Sequence, residues 1–166
     1  MRKINNISKI GVISDTHFNE LSGSLSDKIT RHFKDTELII HCGDIVNHKV
    51  ISELESFAPV IAVKGNMDPA ELNIPDSEVI LINNTHTVCV SHGSSSPYGI
   101  MQKLFKKFST YNPSIILFGH THIAGEFESN GVRFFNPGSP TTRAEYFSVG
   151  IIDINDKKLT TNIIVI

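Results

Sequence analysis

Asp15-Thr-His17, Gly43-Asp44, Gly65-Asn66, His92-Gly93 and Gly119-His-Thr-His122 punctuate the chain in that order. Each follows an apolar, strand-like run: residues 10–14, 38–42, 60–64, 88–91 and 115–118. Seven side chains are thereby offered to chemistry: Asp15, His17, Asp44, Asn66, His92, His120 and His122. They comprise imidazoles, carboxylates and one amide, with no thiolate. That donor set suits manganese, iron, nickel, cobalt or zinc better than a structural cysteine-type zinc site. Seven donors exceed what one tetrahedral ion takes, but fit two ions sharing a bridging carboxylate, spaced about 3.5–4 Å apart. Singly, the Gly-Asp and Gly-Asn pairs are ordinary loop dipeptides. His120 and His122 are more specific, because alternate residues of an extended segment point the same way. Ordinary turns have no need to be ligand-compatible with one another. One site assembled from distant pieces is the better reading.

The elements that must position these residues alternate strand and helix through residue 118. Strands are expected at residues 9–14, 38–42 and 60–64. A helix near residues 24–33, capped by Ser24, recurs apolar at Leu25, Ile29 and Phe33. A second helix, capped by Asn47, has an apolar face of Val50, Ile51, Leu54 and Phe57. Residues 77–82 and 86–91 form a hairpin about Asn83-Asn84-Thr85. Pro97 opens a helix to Phe108, with Ser94–Ser96 read as its capping segment. On that helix Lys103, Lys106 and Lys107 are expected to form a solvated face. After a strand at residues 114–118, helix signals stop and strands follow at residues 124–128, 132–136, 146–154 and 158–166. Turns are expected at Asn130-Gly131 and Asn155-Asp156. Such a chain folds as two sheets, one partly parallel, with helices on their outer faces. In such sheets ligands collect at the carboxyl ends of strands.

Composition narrows the setting. The 166 residues are 40% apolar and 19% charged, with a net charge of −2. No polyanionic partner such as duplex DNA is expected from that balance. The two cysteines, Cys42 and Cys89, sit in apolar runs and outside any CxxC pair, so buried reduced thiols are expected. Neither a signal-like apolar stretch nor a membrane-length run occurs. A soluble, cytoplasmic, single-domain protein over residues 1–166 is expected. The strand near residues 159–166 is available as an edge for homo-oligomer assembly.

The motifs Asp15-Thr-His17, Gly43-Asp44-Ile45-Val46, Gly65-Asn66-Met67-Asp68, Ser91-His92-Gly93 and Gly119-His120-Thr121-His122 resemble those of the calcineurin-like metallophosphoesterases. Asn136-Pro137-Gly138-Ser139 also fits their compact prokaryotic phosphodiesterase branch. The resemblance implies an α/β fold, a four-layer α/β/β/α sandwich of two mixed sheets flanked by helices, with a dinuclear site at one edge. It implies that Asp15, His17, Asp44 and His122 hold one ion. Asp44, Asn66, His92 and His120 would hold the other, with Asp44 as the bridge and Mn2+ the foremost metal. Asp44, His92 and His120 are the residues expected to carry catalysis, by attack of a metal-bridging hydroxide on phosphorus.

Met67 departs from the family pattern. Much of the family has histidine there, and a thioether has no proton to give. Met67 is read as a gap-filling apolar side chain at the site wall. Two divalent ions, two carboxylates and a hydroxide leave a formal charge of about +1, which balances a phosphodiester monoanion better than a monoester dianion. A phosphodiesterase acting on a small phosphoester, best with acidic leaving groups, is the expected function. The alternatives are a phosphomonoesterase or nucleotide phosphatase of the same family, and a non-catalytic protein-interaction scaffold with the same fold. Asn66 and Arg143 are candidate substrate contacts. Backbone N–H groups of the Asn136–Ser139 loop are a further candidate, although that loop also reads as an ordinary Pro-Gly turn.

Overall fold

The computed structural model describes the chain except residues 18–24, 26, 95, 142, 143 and 145. Strand β1 (Arg2–Ile4) is followed by β2 (Lys9–Ile13), helix α1 (Asp27–Thr30) and β3 (Leu38–His41). Helix α2 (His48–Glu55) then leads to β4 (Val60–Ala62) and the hairpin β5 (Ser77–Ile82) and β6 (His86–Ser91). Helix α3 (Pro97–Phe108) precedes β7 (Ile115–Leu117), and four strands close the chain: β8 (Gly125–Ser129), β9 (Val132–Asn136), β10 (Ser148–Asn155) and β11 (Lys158–Val165).

These strands form two mixed sheets, ordered β1-β5-β6-β7-β9-β8 and β11-β10-β2-β3-β4. Residues buried on both faces make continuous apolar runs such as Leu38-Ile39-Ile40, as expected of covered parallel strands. Ile10, Val12, Leu38, Ile40 and Ile61 of one sheet pack with Ile80, Val88, Val90, Ile115 and Leu117 of the other. The opposite face of the five-stranded sheet is covered by α1 and α2, through Ile29, Val50, Ile51 and Leu54. Helix α3 covers the six-stranded sheet through Ile100, Leu104 and Phe108. The result is the expected four-layer α/β/β/α arrangement.

Local chemistry explains the helix boundaries. Asn47 caps α2, its side chain accepting from the Lys49 N–H at 2.9 Å, which satisfies one orphan donor of the first turn. Ser96 stands at the N-cap of α3 in an extended conformation, with Pro97 next, but makes no side-chain capping bond. Helix α1 is shorter than its periodicity suggests and continues as a 3-10 turn over Arg31–Phe33. The Thr36 hydroxyl donates to the Phe33 carbonyl at 2.8 Å, closing that turn. Its expected cap, Ser24, lies outside the described residues. Strand β1 had no readable signal: it is three residues long, largely exposed, and held by parallel pairing with β5.

Register carries the fold to the site. In the parallel ladder Ile13, His41 and Ala62 lie level across β2, β3 and β4. In the other sheet Val90 of β6 lies level with Leu117 of β7. The segments beyond these residues therefore leave the sheets together.

Candidate metal centre

Five of the seven candidate side chains sit on backbone bent into the left-handed region: Asp15 (φ 53°), His17 (47°), Asp44 (56°), His120 (70°) and His122 (57°). Each such non-glycine residue costs on the order of 1–3 kcal/mol, which persists only where the surroundings enforce it, and functional sites concentrate it. Backbone bonds supply that enforcement: Asp15 N–H donates to Gly43 O at 2.9 Å and His17 N–H to Asp44 O at 3.0 Å. The β2 and β3 loops thus brace each other. Gly65 is required by close approach, because a Cβ there would strike the Asp44 carboxylate and backbone nitrogen. Gly43 combines φ 98° with contact to the His92 ring, so a side chain there is excluded twice.

The seven side chains converge. His17 Nε2 and His122 Nε2 lie 3.1 Å apart, and Asp15 Oδ1 is 3.2 Å from His122 Nε2. His92 Nε2 lies 3.4 Å from Asp44 Oδ2 and 3.1 Å from Asn66 Oδ1. Asn66 Oδ1 in turn lies 2.9 Å from His120 Nδ1. Asp44 Oδ2 is also 3.7 Å from His17 Nε2, and Asp15 Oδ1 is 3.9 Å from both His17 Nε2 and His92 Nε2. Two overlapping donor groups result, Asp15–His17–His122 and Asp15–Asp44–His92, each with ligand atoms within 4.8 Å of one another. Asp15, Asp44 and His92 are buried, while Asn66 stands at the exposed rim.

The donor chemistry fits divalent cations. His92 Nδ1 lies 2.8 Å from the Cys42 carbonyl and must carry a proton to bond it. In a neutral ring Nε2 then has only a lone pair, and it faces the oxygens of Asp15, Asp44 and Asn66. Lone pair against lone pair is unfavourable unless a cation or a proton lies between. Burial works to lower the His92 pKa, but its hydrogen bond to Asp44 and the charges of Asp15 and Asp44 outweigh that and raise it. Burial likewise works to raise the Asp44 pKa, and His92, the Met67 N–H and His17 together pull it down. The cluster favours positive charge at its centre. Asp44 Oδ1 is committed to the Met67 N–H at 2.8 Å, leaving Oδ2 for the histidines. Asp15 Oδ2 accepts from Ser14 Oγ at 2.6 Å and from the His120 N–H at 3.0 Å, and the same N–H reaches Oδ1 at 3.3 Å, where Oδ1 also faces the histidines.

Asp68 positions the Asp44 loop, a role not legible in sequence. Its buried carboxylate accepts four backbone N–H groups: Oδ1 from Ile45 (2.7 Å) and Val46 (2.6 Å), Oδ2 from Asp44 (3.0 Å) and Gly65 (2.8 Å). Asn136 does the same for the β7 loop, donating from Nδ2 to Gly119 O and Thr121 Oγ1, both at 3.0 Å. His41 is buried behind the site, its Nδ1 accepting from the Gly43 N–H at 3.2 Å and its Nε2 lying 3.2 Å from Thr16 Oγ1. Burial drives its pKa down to about 4, against the partly compensating charges of Asp68 and Asp15. Asp68 and Asn136 fall within motifs already singled out, Gly65–Asp68 and Asn136–Ser139, but their positioning roles, like that of His41, arise only from contacts between distant segments.

Several expectations need correction. Gly119–His122 is not extended: with both histidines left-handed, His120 turns to Asn66 and His122 to His17 and Asp15. Met67 is 52% exposed, so it fills no gap in the wall. The Asn136–Ser139 loop faces inward. Gly138 N–H is taken by Asn136 Oδ1 at 2.9 Å, and Ser139 Oγ donates to Asp15 O at 2.8 Å. Its described groups buttress the ligands instead of presenting donors to a phosphate. Arg143 lies outside the described residues. Lys103 and Lys107 are exposed, as expected of a solvated face, and with Lys64 they also line a cavity of about 510 Å3 that Asn66 and His92 share. Lys106 is exposed and outside that lining. No helix among the described residues is long and apolar enough to cross a membrane.

A two-sheet α/β/β/α protein with a histidine–carboxylate cluster at its strand ends belongs to the class of metal-dependent phosphoesterase folds. Residues 9–157 match the family model of the calcineurin-like phosphoesterase superfamily domain, and the chain belongs to that superfamily. It is 36% identical to a protein of Methanocaldococcus jannaschii named probable metallophosphoesterase, over 89% of this chain and 77% of the relative. A solved structure described as a novel archaeal phosphodiesterase superposes with a TM-score of 0.73 at 27% identity, covering 94% of this chain and 99% of that one. Wild-type Vps29 of Entamoeba histolytica, solved with zinc, shares the fold at a TM-score of 0.75 and 22% identity, covering 95% and 98%.

Proposed function

We propose that the chain is a dinuclear metal-dependent phosphodiesterase. The observation that carries this reading is the pair of overlapping donor groups joined by inward-facing carboxylate oxygens. Asp15, His17, Asp44 and His122 would hold one ion, and Asp44, Asn66, His92 and His120 the other. By the family resemblance Asp44 would be shared between the ions; its Oδ2 lies 3.7 Å from His17 Nε2 and 3.4 Å from His92 Nε2, and Asp15 Oδ1 lies 3.9 Å from the same two nitrogens. Bound divalent ions, with manganese the first choice, supply a nucleophile at neutral pH and neutralise charge on phosphoryl oxygens. The chain's own residues do the rest. Asp68 and Asn136 hold the ligand loops rigid, and the Cys42 carbonyl orients His92. Asn66 and His120 stand at the rim, where they meet substrate. Met67 offers no proton to a leaving group there, so esters of acidic alcohols are favoured.

Metal content of protein reconstituted with manganese, read by elemental analysis, tests the assignment alongside hydrolysis of bis(p-nitrophenyl) phosphate and p-nitrophenyl phosphate. Wild type should hold two ions and prefer the diester. Asp15→Asn should retain one ion, and Asp44→Asn should lose both. One ion per wild-type chain, or a faster monoester reaction, would overturn the reading.

A further inference from the structure

The cavity beside the metal centre carries lysines on two walls and opens on the residues assigned to the second ion. Lys64, partly buried at the end of the β4 run, stands on one wall. Lys103 and Lys107 come from α3 on another, one helical turn apart and so on one face. Lys107 Nζ is held 3.3 Å from Ser91 Oγ, whose hydroxyl donates to the Asp76 carbonyl at 3.2 Å. Two carboxylates share the lining, Asp68 and Asp76. Against the three ammonium groups among the described lining residues these leave a formal excess of one positive charge, and the Asp68 oxygens are directed to four backbone N–H groups. Asn66 and His92 form the common wall between this cavity and the metal cluster. A volume of about 510 Å3 lies within the roughly 300–1,000 Å3 typical of small-ligand sites.

We infer that the preferred substrate is a phosphodiester carrying a second phosphate group, which Lys64, Lys103 and Lys107 hold in this cavity while the scissile diester lies over the metal centre. This rests on the phosphodiesterase reading and goes beyond it by naming the substrate class. A lysine ammonium binds phosphate as a point charge and does not demand the planar two-point geometry of a guanidinium. It places the specificity determinants on α3 and on Lys64, just before the Gly65-Asn66 loop.

Two probes isolate the effect because they share one leaving group: the p-nitrophenyl ester of thymidine 5′-phosphate, with and without a 3′-phosphate. In the manganese-loaded wild type, kcat/KM should favour the 3′-phosphorylated probe by about tenfold, carried mainly by KM, as expected for one net charge-assisted contact. That preference should collapse toward unity in Lys103→Ala/Lys107→Ala and shrink in Lys64→Ala. Lys106→Ala, on the same helix but outside the cavity, should keep it. Equal kcat/KM for both probes in wild type, or a preference that survives the double substitution, would overturn the inference. Calorimetric binding of the products, thymidine 3′,5′-bisphosphate against thymidine 5′-phosphate, separates the two levels. If neither ester is hydrolysed but the bisphosphate still binds tighter through the lysines, the diesterase reading falls and the anion cavity stands. If binding also shows no lysine-dependent preference, the cavity inference falls on its own evidence.

Discussion

Replacing Asp68 by Asn tests whether the metal site is held by its loop backbone. Each carboxylate oxygen of Asp68 accepts two N–H groups, Ile45 and Val46 on Oδ1 and Asp44 and Gly65 on Oδ2. An amide in the same place turns an NH2 toward one pair whichever way it flips. Two N–H groups are then left facing a donor, in a buried position. At about 1–3 kcal/mol for each unsatisfied group, the loss is roughly 2–6 kcal/mol. For a domain of this length each kcal/mol lowers the melting temperature by about 2–4 °C, so a drop of at least about 4 °C is expected in chelator-treated protein. Metal affinity should fall as well, because outer partners of ligands typically contribute about 10–100-fold. Thermal unfolding with and without manganese, together with calorimetric metal titration, measures both. A variant that melts within about 1 °C of wild type and binds manganese equally would refute the claim that Asp68 holds the Asp44 loop.

Other outcomes follow from single groups. His41 has a folded pKa of about 4 against an ordinary 6.5. Unfolded chains therefore take up its proton first, and stability is full above pH 6.5 and lost as pH falls from 6.5 toward 4. The shift corresponds to roughly 3 kcal/mol. Urea unfolding of His41→Gln should lack most of that pH-dependent component; identical pH profiles for variant and wild type would refute it. Met67→His should raise turnover of alkyl diesters by about tenfold or more while changing aryl diesters little. Equal gains on both would refute the missing-acid account. Burial raises the Cys42 thiol pKa and pushes that of Cys89 up to about 12. Neither should react with iodoacetamide at pH 8 in the native state, and both should on unfolding, as mass spectrometry would show; rapid native alkylation of either would contradict their burial.

The seven candidate ligands were legible in the chain because each sits beside the end of an apolar strand, and strand ends are where this class of sheet gathers function. The layered architecture was legible too, since apolar runs alternate first with helical periodicity and then with turn signals. Short, largely exposed β1 was not, because it is held by pairing with a strand more than seventy residues away and by packing of Ile4 on the core. The misreading of Gly119–His122 as extended has a similar origin. A left-handed φ at His120 and His122 is enforced by Asn136 and the β2 loop, neither of which is near in sequence.

Sequence by itself determined which candidate donor atoms the chain offers and in what order, because donor chemistry belongs to residue type. Tertiary structure alone decided how those atoms are shared. The bends that aim them, the four N–H groups gathered on Asp68 and the three lysines brought beside Asn66 and His92 all arise between segments far apart in the chain. Such contacts depend on register and packing, and local patterns of residues do not encode them one segment at a time.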